Sequence, residues 1–325
     1  MVLGNTPEGH WTILRAFYVS SSDHEVLLAG SALLVGIHLK NQNDSFIHKS
    51  LLRFTHLEEW AGQPLVRDEA GSSEGYFKLV VPTAAKSVFR VEGPSQFKSL
   101  TLWNGLRISR KRTETSLTSQ SHFVLDFNPP TNLIAVNQMI RALANLLALL
   151  VGEAVLPRKV RLVSREPGTD QERTVDCFVP SQSTPQGGKS EYEMPFPLRD
   201  FDQIDKDVAA KLFKEWFLKE DVLRPVCDLL LSTIYYPGQY VQSTFLSLAQ
   251  ALESFHRRTR PGTYVRKDAY DEIRKALLSA IPTDTLPDLR QKLQSTLAFA
   301  NELSLKTRMK QLFEEVDPEH AADLA

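Results

Sequence analysis

The first half of the chain alternates short apolar runs with turn-forming residues. The runs WTILRAFYV, LLRFTHLEEW, YFKLVVP, SVFRVEG and SHFVLDF are rich in aromatic and β-branched residues, and clusters of Gly, Pro, Asn and Ser separate them. This pattern is typical of strands in a largely antiparallel sheet. Two later runs, KVRLVS and TVDCFVP, predict the last strands of the region. Trp60 is predicted to anchor this sheet from within.

A long apolar segment at residues 133–155 lies among these strands. It could span a bilayer by length, but polar residues interrupt it at helical spacing: Asn137, Gln138, Arg141 and Asn145. This spacing predicts instead a buried amphipathic helix of a soluble protein. Residues 1–180 are therefore predicted to form an α+β domain, antiparallel and β-rich, with one packed helix.

The second half of the chain has helical periodicity. Before it, residues 180–197 contain four prolines and two adjacent glycines, which predicts a linker at 181–199. Residues 200–325 are predicted to form an all-α helical bundle. Pro225 suits the first turn of a helix, so we expect a break before it. The predicted helices are 207–219, 225–235, 240–257, 268–281, 284–303 and 306–316.

Composition limits the chemistry that the chain can perform. The chain has 38 Lys and Arg against 39 Asp and Glu, so any basic surface for a nucleic acid must be local. The two cysteines, Cys177 and Cys227, lie in apolar segments and predict core packing in a reduced, cytoplasmic protein. We found no glycine-rich phosphate loop, His/Cys metal cluster or G-x-S-x-G motif. We therefore expect no cofactor.

The stretch FLSLAQALESFHRRTRP holds the first candidate site. Glu253 and His256 are three residues apart on one side of a predicted helix. They form either a structural pair at the edge of the bundle or a site in which the carboxylate orients the imidazole. The apolar residues of this helix recur at intervals of four and three, which predicts a seam in the bundle core: Val241, Phe245, Leu248, Leu252 and Phe255.

Two short segments are strongly basic. The segment 257–267, RRTRPGTYVRK, contains Arg257, Arg258 and Arg260 together with Tyr264. It is either a solvated loop or a surface that binds RNA, on which Arg would bind phosphate and Tyr would stack on a base. The segment 107–112, RISRKR, has two equally open interpretations: it protects a strand edge, or it contacts nucleic acid.

Several segments together resemble the ApeA-like HEPN family. They are FTHLEEWAG, LIAVNQMIRALANLLALLVGEAVLPRKVRLVS and the stretch from FPLRDFDQI to QALESFHRR. The resemblance implies an ApeA-type N-terminal domain followed by a HEPN helical domain. It also implies a metal-independent endoribonuclease of prokaryotic antiviral defence, of the abortive-infection toxin type, which dimerises through its HEPN helices. In that mechanism an Arg stabilises the scissile phosphate and a His moves protons.

The sequence departs from the family signature R-x4-6-H. No arginine stands five to seven positions before any of the eight histidines. We therefore expect that the catalytic helix is missing and that this chain does not cleave RNA.

Without that motif, the resemblance implies only supporting roles at a catalytic site for Glu253 and His256. The residues expected to contact RNA are Arg257, Arg258, Arg260 and Tyr264. The N-terminal domain would sense an invader component or restrain the nuclease. The alternative is a non-catalytic module for dimerisation or partner binding.

Overall fold

A computed structural model describes residues 1–7, 9–41, 43–61, 67–68, 79–80, 86–93, 96–165, 171–179, 190–198 and 207–316. The chain divides into two compact units, Met1–Glu220 and Asp221–Ala325. Most of the predicted linker 181–199 and most of the run YFKLVVP lie outside the described residues. The domain boundaries 1–180 and 200–325 therefore stay a prediction.

The first unit contains one large antiparallel sheet, as the sequence predicts. Its strand order is β1-β2-β5-β13-β12-β6-β11-β10-β9, while β3 pairs with β4 and β7 with β8. In the described ranges the strands are β1 (Val2–Thr6), β2 (Gly9–Leu14), β3 (Phe17–Ser21), β4 (Val26–Ala29), β5 (Ala32–Val35), β6 (Ile47–Phe54), β7 (Arg67–Asp68), β8 (Leu79–Val80), β9 (Lys86–Glu92), β10 (Ser99–Arg110), β11 (Thr115–Thr131), β12 (Pro157–Arg165) and β13 (Glu172–Phe178).

Helix α2 (Leu133–Val151) packs against the interior strand β6. It begins at Asn132, whose side-chain oxygen accepts a hydrogen bond from the Ala135 amide at 3.0 Å. It ends at Gly152, whose φ of 76° is left-handed, so the helix stops four residues before the predicted 155. The helix is long and apolar enough to cross a membrane, but 61% of its most apolar window is buried inside the structure. The prediction of a packed core helix is confirmed.

Aromatic side chains fill the centre of the first unit. Trp60, on the short helix α1 (Leu57–Ala61), is fully buried and its indole nitrogen donates to the Phe196 carbonyl at 2.9 Å. The Phe213 ring lies 6.0 Å from the Trp60 ring and 5.6 Å from the ring of Phe123 on β11. Trp60 therefore anchors the sheet as predicted, since its ring packs in this aromatic core and its polar atom is satisfied.

The remaining helices confirm the helical second half. They are α3 (Val208–Tyr235), α4 (Val241–Thr259), α5 (Lys267–Ser279), α6 (Pro287–Phe299) and α7 (Leu305–Val316). The predicted break at Pro225 is wrong, because α3 continues through it. Phe213, Cys227 and Leu231 are all buried on one side of this helix. Their burial outweighs the one backbone hydrogen bond that a proline cannot donate.

The apolar seam of α4 is not in the core of its unit, contrary to the prediction. Val241 is 80% exposed, Phe245 is 73% exposed and Leu252 is 40% exposed. The residues of α4 that are buried are Ala251 and His256, on the side that meets α7. Periodicity shows that a helix face is apolar, but it does not show that the same chain covers that face.

Both cysteines are buried and unbridged, which confirms their assignment to core packing. Burial raises the pKa of the Cys177 thiol to about 12, because the thiolate would lose its hydration. The reactive thiolate form is therefore scarce at Cys177 near neutral pH.

We expect Cys177 to resist alkylation in the folded protein. Iodoacetamide at pH 8, followed by peptide mass spectrometry, should leave Cys177 unmodified until denaturant is added. Ser20→Cys provides the control, because Ser20 is exposed on β3 and its thiol should react within minutes. Equal rates for Cys177 and the new thiol would contradict the buried position.

Candidate nucleic-acid interface

A buried polar contact joins α4 to α7. His256 is fully buried and Arg308 is only 2% exposed. The His256 Nδ1 atom lies 3.1 Å from Arg308 Nη1, and His256 Nε2 lies 2.6 Å from Gln311 Oε1. A guanidinium can only donate, so Nδ1 accepts and Nε2 carries the hydrogen that is donated to Gln311. The contacts therefore require the neutral Nε2–H tautomer of His256.

The other hydrogen bonds of Arg308 tie α7 to two backbone segments. Arg308 Nε donates to the Leu303 carbonyl at 3.0 Å, and Nη2 donates to the Gly262 carbonyl at 3.3 Å. All of its described acceptors are neutral, and a buried cation depends on such bonds to offset its lost hydration. The burial of both side chains keeps this pair out of reach of an RNA strand.

The basic segment after α4 is held in place by a second set of bonds. The Leu303 amide donates to the Gly262 carbonyl at 2.9 Å, and the Tyr264 amide donates to the Asn301 carbonyl at 3.0 Å. The Asn301 side chain accepts from the Val265 amide at 3.0 Å and donates to the Val265 carbonyl at 2.9 Å. The segment therefore has a defined backbone position beside the residues that precede α7.

Two of the three candidate arginines are neutralised within the chain. Arg257 contacts Glu253 and Glu302, each at 3.0 Å. Arg260 donates to both carboxylate oxygens of Glu315. This hydrogen bonding is the main cause that lowers the pKa of Glu315 below its ordinary value and raises that of Arg260. An RNA phosphate would have to compete with these carboxylates.

The contacts correct one local interpretation. Glu253 and His256 were expected to be close enough to interact as an acid–imidazole pair. Instead, Glu253 accepts from Arg257 one turn later, and His256 turns towards Gln311 and Arg308. The longer Arg257 side chain reaches the Glu253 carboxylate. The His256 imidazole lies instead between α4 and α7, where it contacts Gln311 and Arg308.

Arg258 and Tyr264 are the candidate residues that remain accessible. Arg258 is exposed, and its described partner is the Ser254 hydroxyl at 3.3 Å, not a carboxylate. The Tyr264 side chain is 56% exposed. Its hydroxyl contacts Thr307 at 3.3 Å, and the hydrogen bonds from Thr307 and Ser304 lower the pKa of Tyr264. An unpaired guanidinium and an exposed ring are the groups that bind phosphate and base.

Four residues at this site were not identified from the sequence, namely Glu302, Arg308, Gln311 and Glu315. Arg308 could have been identified from the sequence pattern of α7. It stands one helical turn before the buried Leu312, on the apolar side of the helix. A lone cation on an apolar helix face indicates a buried partner. Within the described ranges, no group of three or more His, Cys, Asp or Glu side chains is placed to hold a metal ion.

The segment 107–112 lies at the tip of the hairpin formed by β10 and β11. Among the described residues, strand β9 pairs with β10 as far as Asn104, so the outer half of the hairpin has no described neighbour on that side. Arg107 and Arg110 are exposed there, and Lys111 contacts Glu114 across the turn at 3.7 Å. The choice between edge protection and nucleic-acid contact stays a prediction.

Comparison with known families explains the division of the chain. The family described as ApeA N-terminal domain 1 matches residues 1–216, and the family described as Apea-like HEPN matches residues 246–324. The chain belongs to the ApeA-like HEPN family. At the level of the family, membership supports a HEPN-based role of the antiviral or toxin type. No curated protein and no solved structure matches the chain.

The HEPN match covers most of α4 and all of α5, α6 and α7. The contact of His256 with Arg308 and the accessible Arg258 are therefore features of an ApeA-like HEPN domain, whereas the most exposed residues of the seam, Val241 and Phe245, precede the match. The resemblance seen in the sequence is confirmed.

His256→Ala should lower the free energy of unfolding of the helical unit by about 3 kcal/mol, because it leaves a buried guanidinium without one acceptor. Urea denaturation followed by circular dichroism at 222 nm measures this change. The control is Arg258→Ala on the same helix, for which we expect less than about 0.5 kcal/mol. Equal effects of the two substitutions would show that the buried contact adds no stability.

Proposed function

We propose that this protein is an RNA-targeting HEPN protein of prokaryotic antiviral defence that works as a dimer. The observation that carries this proposal is the exposed apolar seam of α4, the helix that holds Arg258 and that the HEPN match enters at residue 246. One helix then supplies both a surface for a second copy and a group for RNA.

The seam has the composition of an interface. Phe245 is 73% exposed, and Leu246 beside it is 57% exposed. Soluble proteins rarely leave large contiguous apolar patches uncovered, and aromatic side chains are enriched where proteins associate. HEPN domains commonly dimerise, and a second copy would cover this seam with an identical one.

RNA contact is assigned first to Arg258 and Tyr264. Arg258 keeps its guanidinium free of carboxylates among the described residues, and Tyr264 offers an exposed ring for stacking. Arg257 and Arg260 contribute positive charge to the same segment, and RNA would reach them by displacing Glu302 or Glu315. Glu253 then holds Arg257 in position rather than acting on RNA directly.

The proposal assigns binding, not cleavage, to this chain. The motif R-x4-6-H is absent from it, and the buried His256 already uses both ring nitrogens. By family analogy, the β-rich domain senses an invader component or restrains the HEPN domain, and the protein works in the cytoplasm. The rival function is a dimerisation or protein-binding module without RNA affinity.

Phe245→Ser should weaken the dimer, because it replaces the most exposed aromatic ring of the seam with a small polar side chain. Light scattering after size-exclusion chromatography should show the wild type as a dimer and the variant shifted towards the monomer. Phe299→Ser is the matched control, since Phe299 is 68% exposed but lies on α6. A monomeric wild type at high micromolar concentration would contradict dimerisation.

Arg258→Gln should weaken RNA binding about tenfold at low salt, because it removes a charge-assisted phosphate contact. Filter binding with a labelled single-stranded RNA measures the affinity. Arg290→Gln makes the same change of charge on α6 and should leave the affinity unchanged. If the wild type binds no RNA while it still dimerises, the rival module is the better description.

A further inference from the structure

An open cleft of about 400 Å³ lies within the first unit, where the end of β2 meets the start of α2. Its volume falls in the range of small-molecule sites. Residues at the end of β2, at the start of β5 and on α2 line it, among them Arg15, Arg141, Asn137 and Gln138. None of the described residues that line it is acidic. All of its described lining residues belong to the first unit, whereas the RNA contacts proposed above belong to the second.

Two unpaired arginines face this cleft from different elements. Arg15 follows β2 and Arg141 lies on α2, and neither has a carboxylate partner among the described residues. Arg15 has a φ of 47°, a left-handed conformation that a non-glycine residue adopts only when its surroundings impose it. Next to Arg15, the Ser31 amide donates a hydrogen bond to the Leu14 carbonyl at 2.8 Å. This bond joins the end of β2 to the residue that precedes β5. The fold therefore fixes the backbone from which the Arg15 side chain extends.

The polar positions of α2 also belong to the cleft. Asn137 and Gln138 stand four and three residues before Arg141, so the three side chains share one face of the helix. These are residues that interrupt the otherwise apolar segment. Leu133 and Ile134, in the first turn, add an apolar part to the lining.

We infer that this cleft binds a small ligand that carries a phosphate on a polar heterocycle, such as a nucleoside monophosphate. Two guanidinium groups suit the phosphate, because each can donate two parallel hydrogen bonds. The side-chain amides of Asn137 and Gln138 offer a donor and an acceptor each, which match the edge of a nucleobase. The apolar first turn of α2 provides a surface against which the ring packs. A ligand at this place would give the N-terminal domain a chemical signal to read.

Isothermal titration calorimetry of the full chain tests the inference, with each of the four ribonucleoside monophosphates in turn. We expect at least one to bind, and its free nucleoside and inorganic phosphate to bind at least about tenfold more weakly. Arg141→Gln and Arg15→Gln should each weaken binding about tenfold. Arg173→Gln, which removes an exposed charge from β13 of the same unit, should leave it unchanged.

Three results would overturn the inference. The first is the absence of binding by all four monophosphates, and the second is an equal loss with Arg173→Gln, which would indicate general charge attraction. The third is inorganic phosphate binding as tightly as the best nucleotide, which would leave only a simple anion site. Asn137→Ala serves as a second variant if Arg15→Gln fails to fold, and it should reduce affinity while changing the preference among the four bases.

Discussion

The helical unit depends on how one buried cation is accommodated. Arg308 gives up its hydration for a histidine nitrogen and two backbone carbonyls. Each of those acceptors belongs to a different segment, so satisfying the guanidinium fixes α4, the loop that follows α4 and the residues before α7 at once. The ion pairs of Arg257 and Arg260 then form on the outside of an arrangement that is already determined. The accessible positions of Arg258 and Tyr264 follow from the same arrangement.

The β-rich unit is held together by the packing of apolar side chains. Its candidate ligand site lies on the face of α2 that this packing leaves uncovered. Most of α2 is buried beneath the sheet, while Asn137, Gln138 and Arg141 remain on its outer side. Three of the four polar residues that interrupt the apolar sequence of α2 thus line the cleft. The same side chains occupy the uncovered face of the helix and supply the candidate ligand contacts.

Local pattern predicted much of the fold, because strand alternation, helical periodicity and the burial of Cys177 and Cys227 depend on neighbouring residues. The contact of His256 with Arg308 was not predictable in this way, since 52 residues separate the two side chains. The same limit applies to the seam of α4, where periodicity identified the apolar face but not the chain that covers it. Pro225 shows the opposite case. The proline predicts a helix boundary, but α3 continues through it because residues on both sides of it are buried.

The carboxylates around the end of α4 would limit the strength of the proposed RNA attachment. Of the three arginines at positions 257, 258 and 260, two are already paired with glutamates. A single free guanidinium releases about one counterion on meeting a phosphate, which gives a weak contact with a shallow salt dependence. Two copies joined through α4 would present two such contacts to one strand. Avidity rather than the affinity of one site would then select RNA molecules long enough to span both copies.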